Sequence, residues 1–161
     1  MSFFRYLMLL SLVVWLGGLI FFAFVVAPAA FSVLPTRHLA GNIVGRSLGG
    51  LHWIGLVSGI VFLVSSMVYS RMSTGTAHPV AGRHVLIVLM LLLTAISQFA
   101  ILPKMATLRA SMGEIDNVSF TDPARLQFDA LHVWSTRLEG GVLLLGLAAI
   151  YLTAQSLARR F

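Results

Sequence analysis

The chain has no cysteine among its 161 residues, which excludes disulfides, zinc–thiolate sites and iron–sulfur clusters. Charged residues are also scarce, at 10% of the sequence against about 25% in a typical soluble domain. Hydrophobic residues make up 58% of the chain, and the mean hydropathy is +0.94. Because too little polar surface remains to face water on all sides, the composition predicts an integral membrane protein.

Acidic residues are the rarest charged type, with five Asp and Glu against eleven Lys and Arg and a formal net charge of +6. Such a balance can indicate nucleic-acid binding, but here the basic residues are scattered at the ends of apolar segments. That distribution is typical of basic flanks that anchor membrane spans. The bilayer is therefore the expected partner, and nucleic acid is not. The motifs of P-loop, dinucleotide-binding, serine-hydrolase and zinc-protease enzymes are absent.

Four apolar runs are long enough to cross a bilayer as helices, which takes about 20 residues. The first is too long for the apolar core of a signal peptide, about 7–15 residues. The fourth is preceded by an amphipathic helical extension from about residue 123, with Asp122 as its N-cap and Pro123 at its first position. The sequence predicts one all-α domain over 1–161, an up-down-up-down bundle of four transmembrane helices. The predicted spans are 6–27, 47–70, 84–103 and 138–158, with a polar loop at Arg71–Arg83.

Four spans place both termini on one side of the membrane. Counting Lys and Arg gives five on each side, with Arg159 and Arg160 among those of the termini, so the positive-inside rule does not choose an orientation. Cytoplasmic termini are preferred because the basic residues there lie in shorter segments. The expected location is the inner (plasma) membrane of a bacterium.

Short sequence matches relate the two halves of the chain. Val33–Arg37 resembles Ile101–Lys104, and Leu51–Trp53 resembles Leu131–Trp134. They predict two repeated helical hairpins, each with a proline at its turn and a histidine on the returning helix at similar depth. In span two, Gly55 and Gly59 form a small-xxx-small pattern that favours close approach of another helix.

Topology places every ionisable group in or near the spans in one leaflet, because the loops after spans one and three lie on the same side. Charges near the membrane core cost about 2.5–3.5 kcal/mol, so such groups usually pair and face the bundle interior. The candidate cluster either binds a ligand or is structural, with Glu139 paired to a basic residue (Arg46, Lys104 or Arg109). Its members are Arg46, His52, Gln98, Lys104, Arg109, Asp129, His132, Ser135 and Glu139.

Cofactor binding remains open at the histidines. His52 and His132 are candidate axial ligands of a haem b between spans two and four. The seven methionines form no ligand-spaced cluster, so no metal site is predicted. His38, His78 and His84 are expected to have no specific role.

Three segments resemble a known family. Ser11–Phe22 followed by Val25–Pro28, Leu51–Gly55, and Leu131–Gly140 are similar to the transmembrane protein 205-like proteins, whose function is uncharacterised. That group is similar in turn to the copper-resistance-D-like proteins and to the HemJ-type protoporphyrinogen oxidases, which carry haem in a small helical bundle. The resemblance implies a helical membrane bundle and supplies no catalytic residues.

Three hypotheses of function follow. The first is a membrane protein that handles a small molecule, metal or haem through the one-leaflet cluster. The second is a non-catalytic membrane component whose cluster is structural and which acts through partners or as a homo-oligomer. The third is a haem-dependent oxidoreductase of the HemJ type, although an enzymatic activity is not expected.

Overall fold

The computed structural model describes residues 2–74 and 82–158, which are helical except for short connections. The centre of the predicted loop at Arg71–Arg83 lies outside the described residues, and so do Arg159 and Arg160. A π-helical turn at Phe22–Val26 joins α1 to α2, another at Ser97–Ile101 joins α4 to α5, and Ile115–Asn117 forms a 3-10 turn. The helices are α1 (Ser2–Phe21), α2 (Ala27–Val33), α3 (Arg37–Thr74), α4 (Gly82–Ile96), α5 (Leu102–Met112) and α6 (Pro123–Ala158).

Four continuous helices are long and apolar enough to cross a membrane, which confirms the predicted all-α bundle. The apolar segments, including the π turns, are Ser2–Val33, Arg37–Ser73, Gly82–Met112 and Pro123–Gln155, with 32, 37, 31 and 33 residues. At 1.5 Å per residue they are about 46 to 56 Å long, well beyond the ~30 Å hydrocarbon core. The excess is polar and lies mainly at the end that holds residues 34–36 and 113–122, here called the loop end. The opposite end, with Ser2 and residue 158, is the terminal end.

The helices form a ring in which α1 contacts α3 and α6, and α4 contacts the same two helices from the other side. Their buried side chains form the main apolar core, which includes Met8, Leu12, Trp15, Phe62, Ile87, Met90 and Val142. Large apolar side chains on the outer faces are exposed, as lipid-facing positions require.

Close packing of α1 on α3 depends on two glycines. A Cβ atom at Gly55 would collide with the Trp15 indole, and one at Gly59 would lie 2.8 Å from Trp15 Cζ3 and 2.6 Å from Leu91 Cδ2. Only a residue without a side chain leaves room for the buried indole at both levels. The close approach predicted from the small-xxx-small pattern is confirmed.

Pro103 lies inside a helix and not at the hairpin turn, so its predicted match to Pro35 is wrong. The first and third spans each contain a π turn. In both, a proline occupies the second position of the helix that follows, Pro28 in α2 and Pro103 in α5. The amide groups of Ala27 and Leu102 donate to carbonyls five residues earlier. The wider turn accommodates a proline, which otherwise clashes with the carbonyl four residues before it. The π turn followed by a proline is therefore common to both halves, and it makes Pro28 the counterpart of Pro103.

Side chains tie the connection between α5 and α6 to the bundle. Asp122 Oδ1 accepts hydrogen bonds from the amides of Ala124 (2.8 Å) and Arg125 (3.2 Å), which confirms the predicted N-cap. Arg125 is buried and donates to the carbonyls of Ile115 and Val118. Beneath this connection, Ile101, Met105 and Phe128 form a second, smaller core.

Candidate functional site

Four polar side chains from three segments meet near the loop end, at the level where the apolar part of α6 begins. His52 Nδ1 lies 2.9 Å from Gln98 Oε1, and His52 Nε2 lies 2.8 Å from Glu139 Oε1. Ser97 Oγ donates to the same Glu139 oxygen at 3.0 Å. The π turn at Ser97–Ile101 thus supplies two consecutive residues to the cluster. We call these four residues the His52 cluster.

Both ring nitrogens of His52 face oxygen acceptors. The tautomer of the imidazole decides which nitrogen donates, and the Glu139 carboxyl group is its ionisable partner. His52 is 2% exposed, and the Glu139 side chain is 16% exposed. Hydrogen bonding between these two ionisable groups reduces the cost of burying them near the membrane core.

A cavity of about 1050 Å³ extends from this cluster toward the loop end. Its walls are formed by α3, α5, α6 and the continuous first helix Ser2–Val33, which comprises α1, the π turn and α2. Gln98 and Glu139 lie at its inner end. Neither Gln98 Nε2 nor Glu139 Oε2 has a hydrogen-bond partner among the described residues. The inner end therefore offers one donor and one acceptor to an occupant.

Seven of the nine predicted cluster residues line this cavity: Arg46, Gln98, Arg109, Asp129, His132, Ser135 and Glu139. His52 lies behind Gln98 and Glu139 and does not itself line the space. Lys104 is exposed outside the cavity, because the helix continues past it to Met112. The expected pairing of Glu139 with Arg46, Lys104 or Arg109 is replaced by its pairing with His52.

The predicted similar depth of His52 and His132 is wrong. Glu139 is level with His52 because the two are hydrogen-bonded, and His132 precedes Glu139 by two helical turns, about 10 Å. Since both nitrogens of His52 are engaged by protein groups and His132 is exposed at another level, the two do not fit a shared haem iron. Within residues 2–74 and 82–158 there is no group of three or more His, Asp or Glu side chains able to hold a metal ion.

Arg109 is held against α3 by two glycines. Its Nη1 donates to the Gly41 carbonyl at 2.7 Å, and its guanidinium stacks on Phe128 at 5.2 Å. A Cβ atom at Gly41 would be 3.0 Å from Arg109 Nη2, and one at Gly45 would be 3.2 Å from Nη1. The guanidinium therefore lies beside the backbone of α3, one residue before Arg46.

Comparison with known proteins adds a family. The domain of unknown function DUF4149 matches residues 10–114, more than half of the chain. The chain belongs to this family. No curated protein and no solved structure matches it. The DUF4149 match includes His52, Gln98 and Arg109 and ends before α6, which carries Glu139. The resemblance to the transmembrane protein 205-like and HemJ-type proteins stays a prediction.

A second buried polar cluster, at the terminal end, was missed from the sequence. Ser66 Oγ lies 2.7 Å from His84 Nε2 and accepts a hydrogen bond from Arg83 Nε at 3.1 Å. Both Ser66 and His84 are buried, so His84 belongs to a hydrogen-bonded cluster that the sequence did not predict. Ionisable groups therefore contribute to the bundle interior at both ends of this DUF4149 protein.

Proposed function

We propose that this DUF4149 protein binds a small molecule in the cavity at the loop end. The observation that carries the proposal is an open cavity of about 1050 Å³ whose inner end is a preorganised polar cluster. Small-molecule sites are typically concave, largely apolar and about 300–1,000 Å³, with a few polar groups that orient the ligand. Gln98 and Glu139 are such groups, each held by His52 from behind.

Matched tryptophan substitutions on α5 test the proposal. Ala106 is exposed and lines the cavity, so Ala106→Trp fills the space without disturbing the packed core. Ala110, one turn later, is exposed and does not line it, so Ala110→Trp is the control. The purified proteins are screened by thermal unfolding against fatty acids, lysophospholipids, long-chain alcohols and amines. Ligand at a hundred times its Kd stabilises the folded state by about 2.7 kcal/mol, or a Tm rise of roughly 5–10 °C.

The expected result is that one class raises the Tm of the wild type and of Ala110→Trp but leaves Ala106→Trp unchanged. The proposal is wrong if no class binds, or if Ala106→Trp responds like the wild type.

A structural role of the His52 cluster is the second candidate. It is favoured because His52, Ser97 and Glu139 connect α3, the π turn before α5 and α6 by mutual hydrogen bonds. In that case the protein acts through partners or self-association, and the cavity is unused. The same screen distinguishes a ligand site from a structural role. A structural role predicts that no ligand class raises the Tm, and that His52→Ala or Glu139→Ala lowers the stability of the protein.

The orientation is also a proposal. We place both termini in the cytoplasm and the protein in the plasma membrane, since Arg5, Arg71 and Arg83 lie at the terminal end in short segments. All five acidic residues then lie toward the outer side, between Glu114 and Glu139. The cavity opens on that side.

A further inference from the structure

Three of the four arginines that line the cavity have no acidic partner among the described residues. Arg37 is paired with Asp116 at 3.7 Å, and Arg125 is committed to carbonyl groups of the loop. Arg46 and Arg109 make no ion pair with any described residue. Arg109 lies beside Gly45, next to Arg46 in the chain, so these two positive charges face one space. That arrangement favours an anionic occupant.

Much of the remaining lining of the cavity is apolar. It is built by Leu19, Phe22 and Phe31 of the first helix, with Leu48 and Leu102 toward the inner end. A free inorganic anion would leave this surface in contact with water. A molecule with an apolar chain would cover it, at about 25 cal/mol for each Å² removed from water.

The first helix is loosely packed where it borders the cavity. Neither the π turn at Phe22–Val26 nor α2 contains a buried residue, and Phe31 is half-exposed although it lines the cavity. α2 packs chiefly on α3, whereas α1 makes the contacts of this helix with α6. Both α2 and α6 line the cavity, the latter through Ser135 and Thr136. The space between these two helices is the route by which an occupant would enter from the lipid phase.

We propose that the ligand is an anionic amphiphile with a single apolar chain. Its carboxylate or phosphate group is bound by Arg46 and Arg109 at the membrane surface, and its chain lies against Leu19, Phe22 and Phe31. This inference rests on the proposed small-molecule site and specifies the class of ligand. Arg46 and Arg109 distinguish the anion from a neutral amphiphile, and the apolar lining distinguishes the amphiphile from a soluble anion.

Binding of palmitate to the protein in phosphatidylcholine nanodiscs tests the inference, with hexadecanol as the matched neutral probe. Acetate and inorganic phosphate, added as competitors, represent the soluble anions.

We expect palmitate to bind roughly tenfold more tightly than hexadecanol, since hydrogen bonds to charged groups are stronger than those between neutral groups. Arg46→Gln and Arg109→Gln should each raise the Kd for palmitate roughly tenfold and leave that for hexadecanol unchanged. Arg137, exposed on α6 and outside the cavity, gives the control Arg137→Gln.

The outcomes separate this inference from the proposed function. Equal binding of palmitate and hexadecanol, both abolished by Ala106→Trp, would overturn the anionic class and leave the cavity site standing. Competition by acetate or phosphate at concentrations similar to those of palmitate would overturn the role of the apolar chain. Unchanged binding of both probes to Ala106→Trp would overturn the cavity site itself. If Arg109→Gln does not fold, Arg46→Gln decides, because Arg46 makes no ion pair among the described residues.

Discussion

At the scale of single residues, His52 acts by holding two other side chains. Its two ring nitrogens fix the oxygen of Gln98 and one oxygen of Glu139, and Ser97 adds a second bond to the same carboxylate oxygen. The groups that face the cavity are therefore oriented from behind by a buried imidazole. Such support reduces the entropy that a ligand would otherwise lose in ordering them.

Removing either partner of the buried pair should destabilise the fold. His52→Ala or Glu139→Ala leaves one charged or polar group buried without its partner, at a cost of about 3–5 kcal/mol. The double variant should cost less than the sum of the two by about 1–3 kcal/mol. Unfolding titrations in mixed detergent give these free energies. Arg137→Ala, at an exposed position on α6, should stay within about 0.5 kcal/mol of the wild type. Additive effects of the two single changes would show that the hydrogen bond between His52 and Glu139 is not formed.

At the scale of helices, the packing of α1 on α3 gives a sharp contrast between glycines. Gly55→Ala places a methyl group in the Trp15 indole and should cost about 1–3 kcal/mol through overpacking. Gly17, within α1, has nothing within 4 Å of an added Cβ. Gly17→Ala should therefore be neutral or stabilise by up to about 1 kcal/mol. Both are measured by thermal unfolding in detergent, and equal Tm values for the two variants would contradict the packing.

The four spans could be predicted because each apolar run is close to the length that a bilayer requires. The π turns could not, because a proline after an apolar run also indicates the end of a helix. Reading Pro103 as a turn ended the third helix too early and placed Lys104 in the cluster. Only the tertiary structure shows that the helix continues past it.

The residues of the site could be predicted in part for a similar reason. Topology alone assigns Gln98, Glu139 and His52 to one end of the bundle, and they do meet there. The level of each α6 residue relative to α3 could not be derived from the sequence. It depends on where α6 begins, and the long connection at 113–122 leaves that point undetermined. Sequence motifs therefore matched His132 to His52, whereas Glu139 is the residue at that level. Ser97 carries no sequence signal, because an isolated serine in an apolar run is common in membrane helices.

At the scale of the whole molecule, the two ends differ in charge. All five acidic residues lie between Glu114 and Glu139 at the loop end, whereas Arg5 and Arg83 bond to Tyr69 and Ser66 at the terminal end. The loop end also holds the polar excess of the helices. The bundle is thus built with one end projecting beyond the bilayer.

The absence of cysteine allows the orientation to be tested with single-cysteine variants. Ser2 and Ser119 are exposed and lie at the terminal and loop ends respectively. With cytoplasmic termini, a membrane-impermeant maleimide should label Ser119→Cys in intact cells and label Ser2→Cys only after lysis. The opposite pattern would place the cavity mouth in the cytoplasm.

That the cavity holds a small molecule is tested most directly by native mass spectrometry of protein released gently from membranes. The wild type and Ala110→Trp should retain a bound species of discrete mass that is lost from Ala106→Trp, since only the substitution at Ala106 fills the cavity. The same bound species at equal abundance on all three proteins, or on none of them, would contradict binding in the cavity.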